Sequence, residues 1–386
     1  MPEVDPATVT RDAAVAAPPS RPRDSAPNNV PVVSQVSDAV EQLSGDADTL
    51  NLELDGHQVH LTNLQKPLWP EGDGYRAVTK GEMIRYYVRM APVLLGHLRD
   101  RPLTLTRYPD GITGESFYQK HYGHELPEFV ETTGIFSSSN EGDGEYILVN
   151  NLPTLVWLAQ LADLELHPWL SRVAQQPDAT HLTTDFTGSR EALEGSTLNY
   201  PDFINFDLDP YIYSGDERPG DEAELNRRAF AKAAEVALAL KEVLDQLSLS
   251  SFVKTSGKTG LHIYVPVLRR YDFKSTRKTC ELIGRFLMER KPRDVTMQWT
   301  IEKRAGKIFL DHNQNVRGKN MASIYSLRPL MGAPVSTPLR WDELEDVYPT
   351  QFTIESVPDR VEELGDLWAG VLDAKHDLGR LLGAEG

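Results

Sequence analysis

The sequence predicts a mixed α/β or α+β fold built on mixed sheets, and three observations carry that expectation. Short apolar runs bounded by turn residues, such as 103–107, 203–206 and 261–265, have the length and composition of strands. Between them lie stretches with helical spacing, most plainly residues 221–247, where Leu225, Phe230, Ala233, Val236, Leu240, Val243 and Leu247 share one side. No internal repeat interrupts this alternation.

Taken in order, residues 1–48 are rich in Ala, Pro, Ser, Asp and Val without sustained periodicity and read as a disordered acidic tail. The folded domain is expected from residue 49 to about 350. It opens with the hairpin signal 50–61, two alternating runs around Asp55-Gly56. Thr79 with Glu82 three residues on is a capping box for a helix carrying Met83, Ile84, Tyr87, Val88 and Met90. Residues 131–145 read as an exposed loop, 146–149 as a strand and 152–164 as a helix. The apolar run from Phe203 reads as a buried strand closed by Pro210, and Lys307-Ile308-Phe309-Leu310 as a strand delivering Asp311. From 351 to 386 a polar, helical C-terminal tail is expected.

Composition bounds the function. The chain has 386 residues and 40% hydrophobic content, enough for a sizeable core. It has no run of 18 apolar residues and no secretion signal at Met1-Pro2-Glu3, so a cytoplasmic protein is expected. Cys280, the single cysteine, excludes an intramolecular disulfide and cysteine-rich zinc sites, and reads as a small buried hydrophobe on a helix. A net charge of -17 argues at first against nucleic acid. Yet Arg269, Arg270, Lys274, Arg277 and Lys278 cluster, as do Lys303, Arg304 and Lys307, and Arg317 and Lys319, so a local basic surface and a set of solvated helix faces both stay open.

Three motifs carry chemistry. In Phe206-Asp207-Leu208-Asp209-Pro210 the alternation of a strand places Asp207 and Asp209 on one face, roughly 7 Å apart along the backbone. Paired carboxylates at that spacing suit hard divalent cations, although an isolated pair is more often a solvated strand end, so the motif needs support from the rest of the chain. Asp311 follows an apolar strand in the same way, and three carboxylates at the ends of adjacent strands would form a two-metal site for phosphoryl transfer. The turn Ser256-Gly257-Lys258-Thr259-Gly260 lacks the earlier glycine of a P-loop, Phe252 standing in that place, and leads into a strand. It can still cradle an anion through backbone N–H groups with Ser256 and Lys258, with His262 beside it, or serve as a plain surface hairpin. HExxH, GxSxG and GxGxxG are absent.

From Leu61 to Leu344 the chain resembles the polymerase domain of bacterial ligase D, a branch of the archaeo-eukaryotic primase superfamily. The resemblance rests on Leu61-Thr62-Asn63-Leu64-Gln65-Lys66, Thr79-Lys80-Gly81, Arg101-Pro102-Leu103-Thr104-Leu105, Phe117-Tyr118-Gln119-Lys120 and Leu164-Glu165-Leu166-His167-Pro168-Trp169. It continues through the Asp207 strand, Lys254 to His262, Tyr325-Ser326-Leu327-Arg328 and Gly332 to Trp341. It implies a primase-polymerase core with two mixed sheets flanked by helices around a central cleft. It implies that Asp207, Asp209 and Asp311 bind two ions, Mn²⁺ or Mg²⁺. Ser256, Lys258, His262, His167 and Arg328 would hold the incoming nucleotide, Asn63, Lys66 and Lys80 a DNA 5′-phosphate. Phe117 and Tyr118 would stack on the template.

The reaction implied is template-directed addition of NTPs or dNTPs to a primer 3′-hydroxyl, in short-gap filling or end joining. Implied partners are gapped or broken duplex DNA with a 5′-phosphate, the nucleotides, and a separate ATP-dependent DNA ligase and Ku; a nucleoid-associated monomer is expected. Gln314 and Asn315 replace an aromatic or arginine common in ligase-linked members, residues 210–222 resemble the longer versions of stand-alone relatives, and the length leaves no room for ligase or nuclease modules. The closest resemblance is therefore to free-standing primase-polymerases, with the acidic loop 138–145 where end-joining members bridge DNA ends. Primer-independent priming and a non-catalytic gap-binding scaffold that recruits a ligase are the alternatives.

Overall fold

The computed structural model describes residues 33–122, 125–137, 142–215, 218 and 220–383. In chain order the elements begin with α1 (Val33–Gln42), β1 (Thr49–Leu54), β2 (His57–Thr62), β3 (Pro67–Trp69), β4 (Val78–Thr79), α2 (Lys80–Leu98), β5 (Pro102–Arg107) and β6 (Phe117–Gln119). They continue with β7 (Glu131–Ser137), β8 (Gly142–Leu148), α3 (Leu152–Gln160), β9 (Asp163–Pro168), α4 (Arg190–Glu194), β10 (Phe203–Tyr211), α5 (Arg227–Gln246), β11 (Phe252–Thr255) and β12 (Leu261–Pro266). The last are α6 (Phe273–Arg290), β13 (Val295–Thr296), β14 (Lys307–Asp311), β15 (Pro338–Leu339), α7 (Ser356–Leu364) and α8 (Gly379–Leu382).

Two sheets dominate. The first has the order β13-β14-β10-β12-β11-β15 and is mixed, because β13 runs parallel to β14 while the other pairs are antiparallel. Its apolar face, with Phe206, Leu208, Ile308, Leu310, Ile263 and Val265 all buried, is covered by α5 and α6. The second, β6-β5-β8-β7 with β9 also paired to β5, is antiparallel throughout. The two are stitched by residues 323–337: Leu166 of β9 donates to Ser326 Oγ and accepts from the Ser323 N–H, while Thr255 of β11 donates to the Thr337 carbonyl.

Local signals held where they were local. Leu54 faces His57 across Asp55 and Gly56, both at positive φ as a two-residue hairpin turn requires. The capping box at α2 is present in both directions, Glu82 N–H to Thr79 Oγ1 and Thr79 N–H to Glu82 Oε2.

Other expectations are corrected. Residues 33–42 of the supposed disordered tail form α1, whose Val36 and Ala39 are buried against α2; residues 1–32 lie outside the described residues. The exposed loop 131–145 is the hairpin β7–β8, and its tip, 138–141, is likewise not described. The helix expected to Leu164 stops at Gln160, and the chain turns into β9. Pro210 does not close its strand, which runs on to Tyr211.

The polar tail is part of the body. Trp368 is buried against Phe252 and Tyr264, Arg89 pairs with Asp359 and Glu362, and Lys375 reaches Asp178 and Asp202. Two members of the basic clusters are interior as well. Arg269 is fully buried on Asp178 and the carbonyls of Ala174, Gln175 and Gln176, and Arg304 is buried among aromatic rings. Cys280 is buried on α6.

Candidate functional site

Register builds the site. Asp207 at the middle of β10 stands directly opposite Asp311 of β14 on one side and His262 of β12 on the other; His262 in turn faces Lys254 of β11. A row Asp311–Asp207–His262–Lys254 therefore crosses four strands on one face, where directly opposed Cβ atoms stand about 5 Å apart. Asp209, two residues on, shares that face and is opposite Phe309.

Burial makes this charge costly. The Asp207 carboxyl is pushed well above the ordinary carboxylate range by burial, then by Asp209 and Asp311, and Asp209 is pushed up to about 6 by burial and then by Asp311. His262 is held well below its usual range by burial and by Lys254 and Arg328, so it is a neutral imidazole; its Nε2 lies 3.3 Å from Asp207 Oδ1. Lys254 is fully buried, donates to Ser336 Oγ, and is pushed well down by burial and by Arg328.

The Asp311 carboxylate is turned toward protein partners. Asp311 accepts from the Asn313 N–H at 2.9 Å and from Gln314 Nε2 at 3.1 Å. Among the described residues no three His, Cys, Asp or Glu side chains converge tightly enough to hold one ion as they stand. The donor set still fits hard divalent cations. It is all carboxylate oxygen, its charges repel, and the same face carries buried polar atoms without partners: His262 Nδ1 and both amide atoms of Asn205.

Beside the row lies the turn 256–260. Ser256 Oγ accepts from the N–H groups of Lys258 and Gly260, so two donors expected to face an anion are turned inward. The backbone here is tightly fitted: Gly257 has φ +74, and a Cβ on it would stand 2.6 Å from Arg328 Cγ, while one on Gly260 would stand 2.3 Å from the Leu208 carbonyl oxygen. Arg328 donates to the Ser256 carbonyl and, at 2.8 Å, to Glu165 Oε1.

Glu165, which the sequence reading passed over, is the hub of this corner. His167 Nε2 and Lys258 Nζ each lie 3.9 Å from Oε1, and Tyr108 donates to Oε2 at 3.1 Å. Burial raises the Glu165 carboxyl, and Arg328, His167 and Lys258 outweigh it, leaving the group below its usual value. His167 is pushed down to about 4, chiefly by burial, so it too is neutral at pH 7.

Asn63, Lys66 and Lys80 form a second cluster. Pro67 of β3 faces Thr79 of β4, the Lys66 N–H donates to the Asn63 carbonyl, and the Lys80 N–H to the Lys66 carbonyl. Lys66 is exposed and paired with Asp110 at 2.7 Å. Lys80 is no solvated charge: it is 6% exposed, its Nζ donates to the Thr62 carbonyl, and burial, then Lys66, push it down to about 8. Phe117 and Tyr118 project from β6 at the edge of the second sheet, 50% and 59% exposed, so they are not core aromatics.

Two departures from the resemblance acquire physical content. Gln314 holds Asp311, whereas Asn315 is fully buried and clamps β10, exchanging hydrogen bonds with the Asn205 N–H and carbonyl. Arg304, which the sequence placed only in a basic cluster, lies 3.5 Å from the Phe309 ring centroid and lowers the neighbouring Asp209 against the upward push of burial and Asp311. Glu165 and Lys254 sat inside recognisable segments, but their burial and partners were not signalled by residue type.

Comparison with known proteins gives the family. Residues 79–368 match the sequence model of the LigD primase-polymerase domain. The multifunctional non-homologous end joining protein LigD of Mycolicibacterium smegmatis is 30% identical over 314 residues, 81% of this chain and 36% of that protein. The bifunctional LigD of Bacillus subtilis is 29% identical over 289 residues, 74% and 40% respectively. The chain thus spans well under half the length of these relatives. It is also similar to the solved polymerase domain of Mycobacterium tuberculosis Ligase D in complex with DNA, with a TM-score of 0.67 and 30% identity over 83% of this chain and 99% of that one. With its aspartates in register and the model matching most of its length, the chain belongs to the LigD primase-polymerase domain family.

Proposed function

We propose that this chain is a template-directed nucleotidyltransferase that adds NTPs or dNTPs to a primer 3′-hydroxyl, in DNA repair by short-gap filling or end joining. The observation that carries the reading is the register that sets Asp311 and His262 on either side of Asp207, with Asp209 on the same face. Asp207, Asp209 and Asp311 would hold two divalent ions, Mn²⁺ or Mg²⁺. What such ions supply is activation of the attacking hydroxyl and stabilisation of the leaving pyrophosphate.

The chain's own residues bind and orient. Lys258 and Arg328 bring positive charge to the triphosphate flank, and Ser256 fixes the turn beside it. His262 and His167, both neutral, can donate a hydrogen bond to a phosphate oxygen without a competing charge. Asn63, Lys66 and Lys80 suit a DNA 5′-phosphate, and the exposed rings of Phe117 and Tyr118 suit stacking on the template. The relatives' naming for end joining and the DNA in the M. tuberculosis complex support DNA as the substrate; gapped or broken duplex with a 5′-phosphate, a separate ligase and Ku belong to the same proposal. Action on the chromosome would place the protein in the cytoplasm, at the nucleoid; no helix among the described residues is long and apolar enough to cross a membrane.

Primer extension across a 5′-phosphorylated gap with Mn²⁺ is the test. Incorporation by the wild type and its loss in Asp207→Ala are expected. Gap binding without incorporation under any divalent metal would sink the reading in favour of a scaffold, and dinucleotide synthesis without a primer would favour priming.

A further inference from the structure

Trp299 is 64% exposed, more than any other large hydrophobic side chain among the described residues. A single exposed ring is ordinary on a protein surface; what marks this one is where it is held. It is not on a loose segment. Arg304 donates from Nε to the Gln298 carbonyl at 3.1 Å, from Nη2 to the Trp299 carbonyl at 2.5 Å and from Nη1 to the Tyr211 hydroxyl at 2.7 Å. Its guanidinium lies over Phe309, and the Trp299 and Phe309 rings meet edge to face with centroids 6.4 Å apart. Phe309 stands opposite Asp209. The indole is therefore fixed one ring beyond the carboxylates, at the margin of their face.

Its flank matters. Lys254, the 256–260 turn, Lys258 and Arg328 all lie toward β11 and β12, on one side of the aspartates. Trp299 and Arg304 lie on the other, over Phe309 of β14 and Tyr211 at the end of β10. In an in-line transfer the triphosphate and the attacking hydroxyl approach from opposite sides. If the cations mark the triphosphate side, the strand that ends in the 3′-hydroxyl arrives over Trp299, where an open π-face meets a nucleobase of any identity.

We propose that Trp299 is a positioning residue whose indole stacks on the base of the primer's 3′-terminal nucleotide. The inference rests on the nucleotidyl-transfer reading and names the surface that seats its acceptor strand.

A coupling experiment on the full chain tests it. Gapped duplexes with a dideoxy-terminated primer, whose terminal nucleotide is either intact or abasic, are bound to the wild type, Trp299→Ala and Trp299→Phe, so that no chemistry intervenes. Removing the terminal base should weaken the wild type about 5- to 150-fold, the range for one base stacked on an aromatic, and change Trp299→Ala by less than about twofold. Trp299→Phe should recover part of the effect. The intact primer should also quench more indole emission in the wild type than in Trp299→Phe, and the abasic primer should not. Equal weakening of wild type and Trp299→Ala by base removal overturns the proposal, as does an unchanged KM for primer-template in Trp299→Ala. If the wild type binds with this coupling but never extends an ordinary primer, the reading as a nucleotidyltransferase fails instead.

Discussion

Asp202 and Asp207 lie five residues apart on one stretch of chain, both buried, and the fold treats them in opposite ways. Asp202 accepts from Arg101 at 2.8 Å, from Arg172 at 2.8 and 3.0 Å and from Lys375 at 2.7 Å. Burial would raise its carboxyl, but Arg172, Arg101 and Lys375 outweigh that and hold it well below the ordinary range. Asp207 has a neutral histidine and two more carboxylates for neighbours, and is driven well above. A carboxylate neutralised by the chain's own cations holds structure together. One left beside its own kind stores repulsion that the nearby Lys254 and Arg328 only partly offset, and that charge from outside would relieve.

Five experiments sharpen or break this contrast. The largest effect is expected at Asp202→Ala, which strands Arg101, Arg172 and Lys375 without their anion and should cost about 3–5 kcal/mol in urea unfolding. A loss below about 1 kcal/mol would mean that water compensates the cluster and the contrast is false. Next, Asp207→Asn should lower single-nucleotide incorporation by roughly 10²–10³-fold, the scale of losing an electrostatic anchor for the transition state. Because it removes repulsion, it should be at least as stable as the wild type without divalent ions.

The same contrast has a pH signature. Asp209, raised to about 6, favours the fold below its unfolded value of 3.8, and that contribution is lost as pH rises through about 6. Asp202, depressed, contributes above the ordinary carboxylate range and loses its contribution only on acidification. In metal-free buffer the melting midpoint of wild type minus that of Asp209→Asn should therefore fall between about pH 4 and 6, and Mn²⁺ should restore it at pH 7.

Exposed and buried unpaired groups extend the comparison. Phe117→Ala and Tyr118→Ala should each weaken template binding by about 1–3 kcal/mol and leave unfolding unchanged, since both rings already face solvent. The smallest effect is expected at Lys80, a buried cation whose Nζ donates to the Thr62 carbonyl, with Asp48 its weaker attraction. Its depressed value near 8 means that the ammonium is lost as pH rises, so preference for a 5′-phosphorylated gap should shrink by up to about tenfold from pH 7 to 9. Lys80→Arg, which stays charged, should keep the preference at pH 9. A preference that does not vary with pH in the wild type would remove Lys80 from that site.

Much of this was legible in residue order. The Asp207 strand, the hairpin at Asp55-Gly56 and the capping box at Thr79 are short-range patterns in which a few neighbours fix the backbone. The run from Leu152 into Leu164 was misread because an apolar stretch does not reveal where a helix gives way to a strand, and β9, with Glu165 and His167, was lost with it. The hairpin β7–β8 hid behind Ser, Gly and acidic residues that usually mark loops.

What the sequence by itself determined was which acids share a strand face and where the helix after Thr79 begins, because alternation and capping are properties of adjacent residues. That Asp311 stands opposite Asp207, that Lys254 completes the row and that Arg304 is buried while Trp299 is open was decided by tertiary structure. Strand register here depends on partners 53 to 104 residues away. A charged residue looks the same in sequence whether the fold will pair it, strand it or leave it to water.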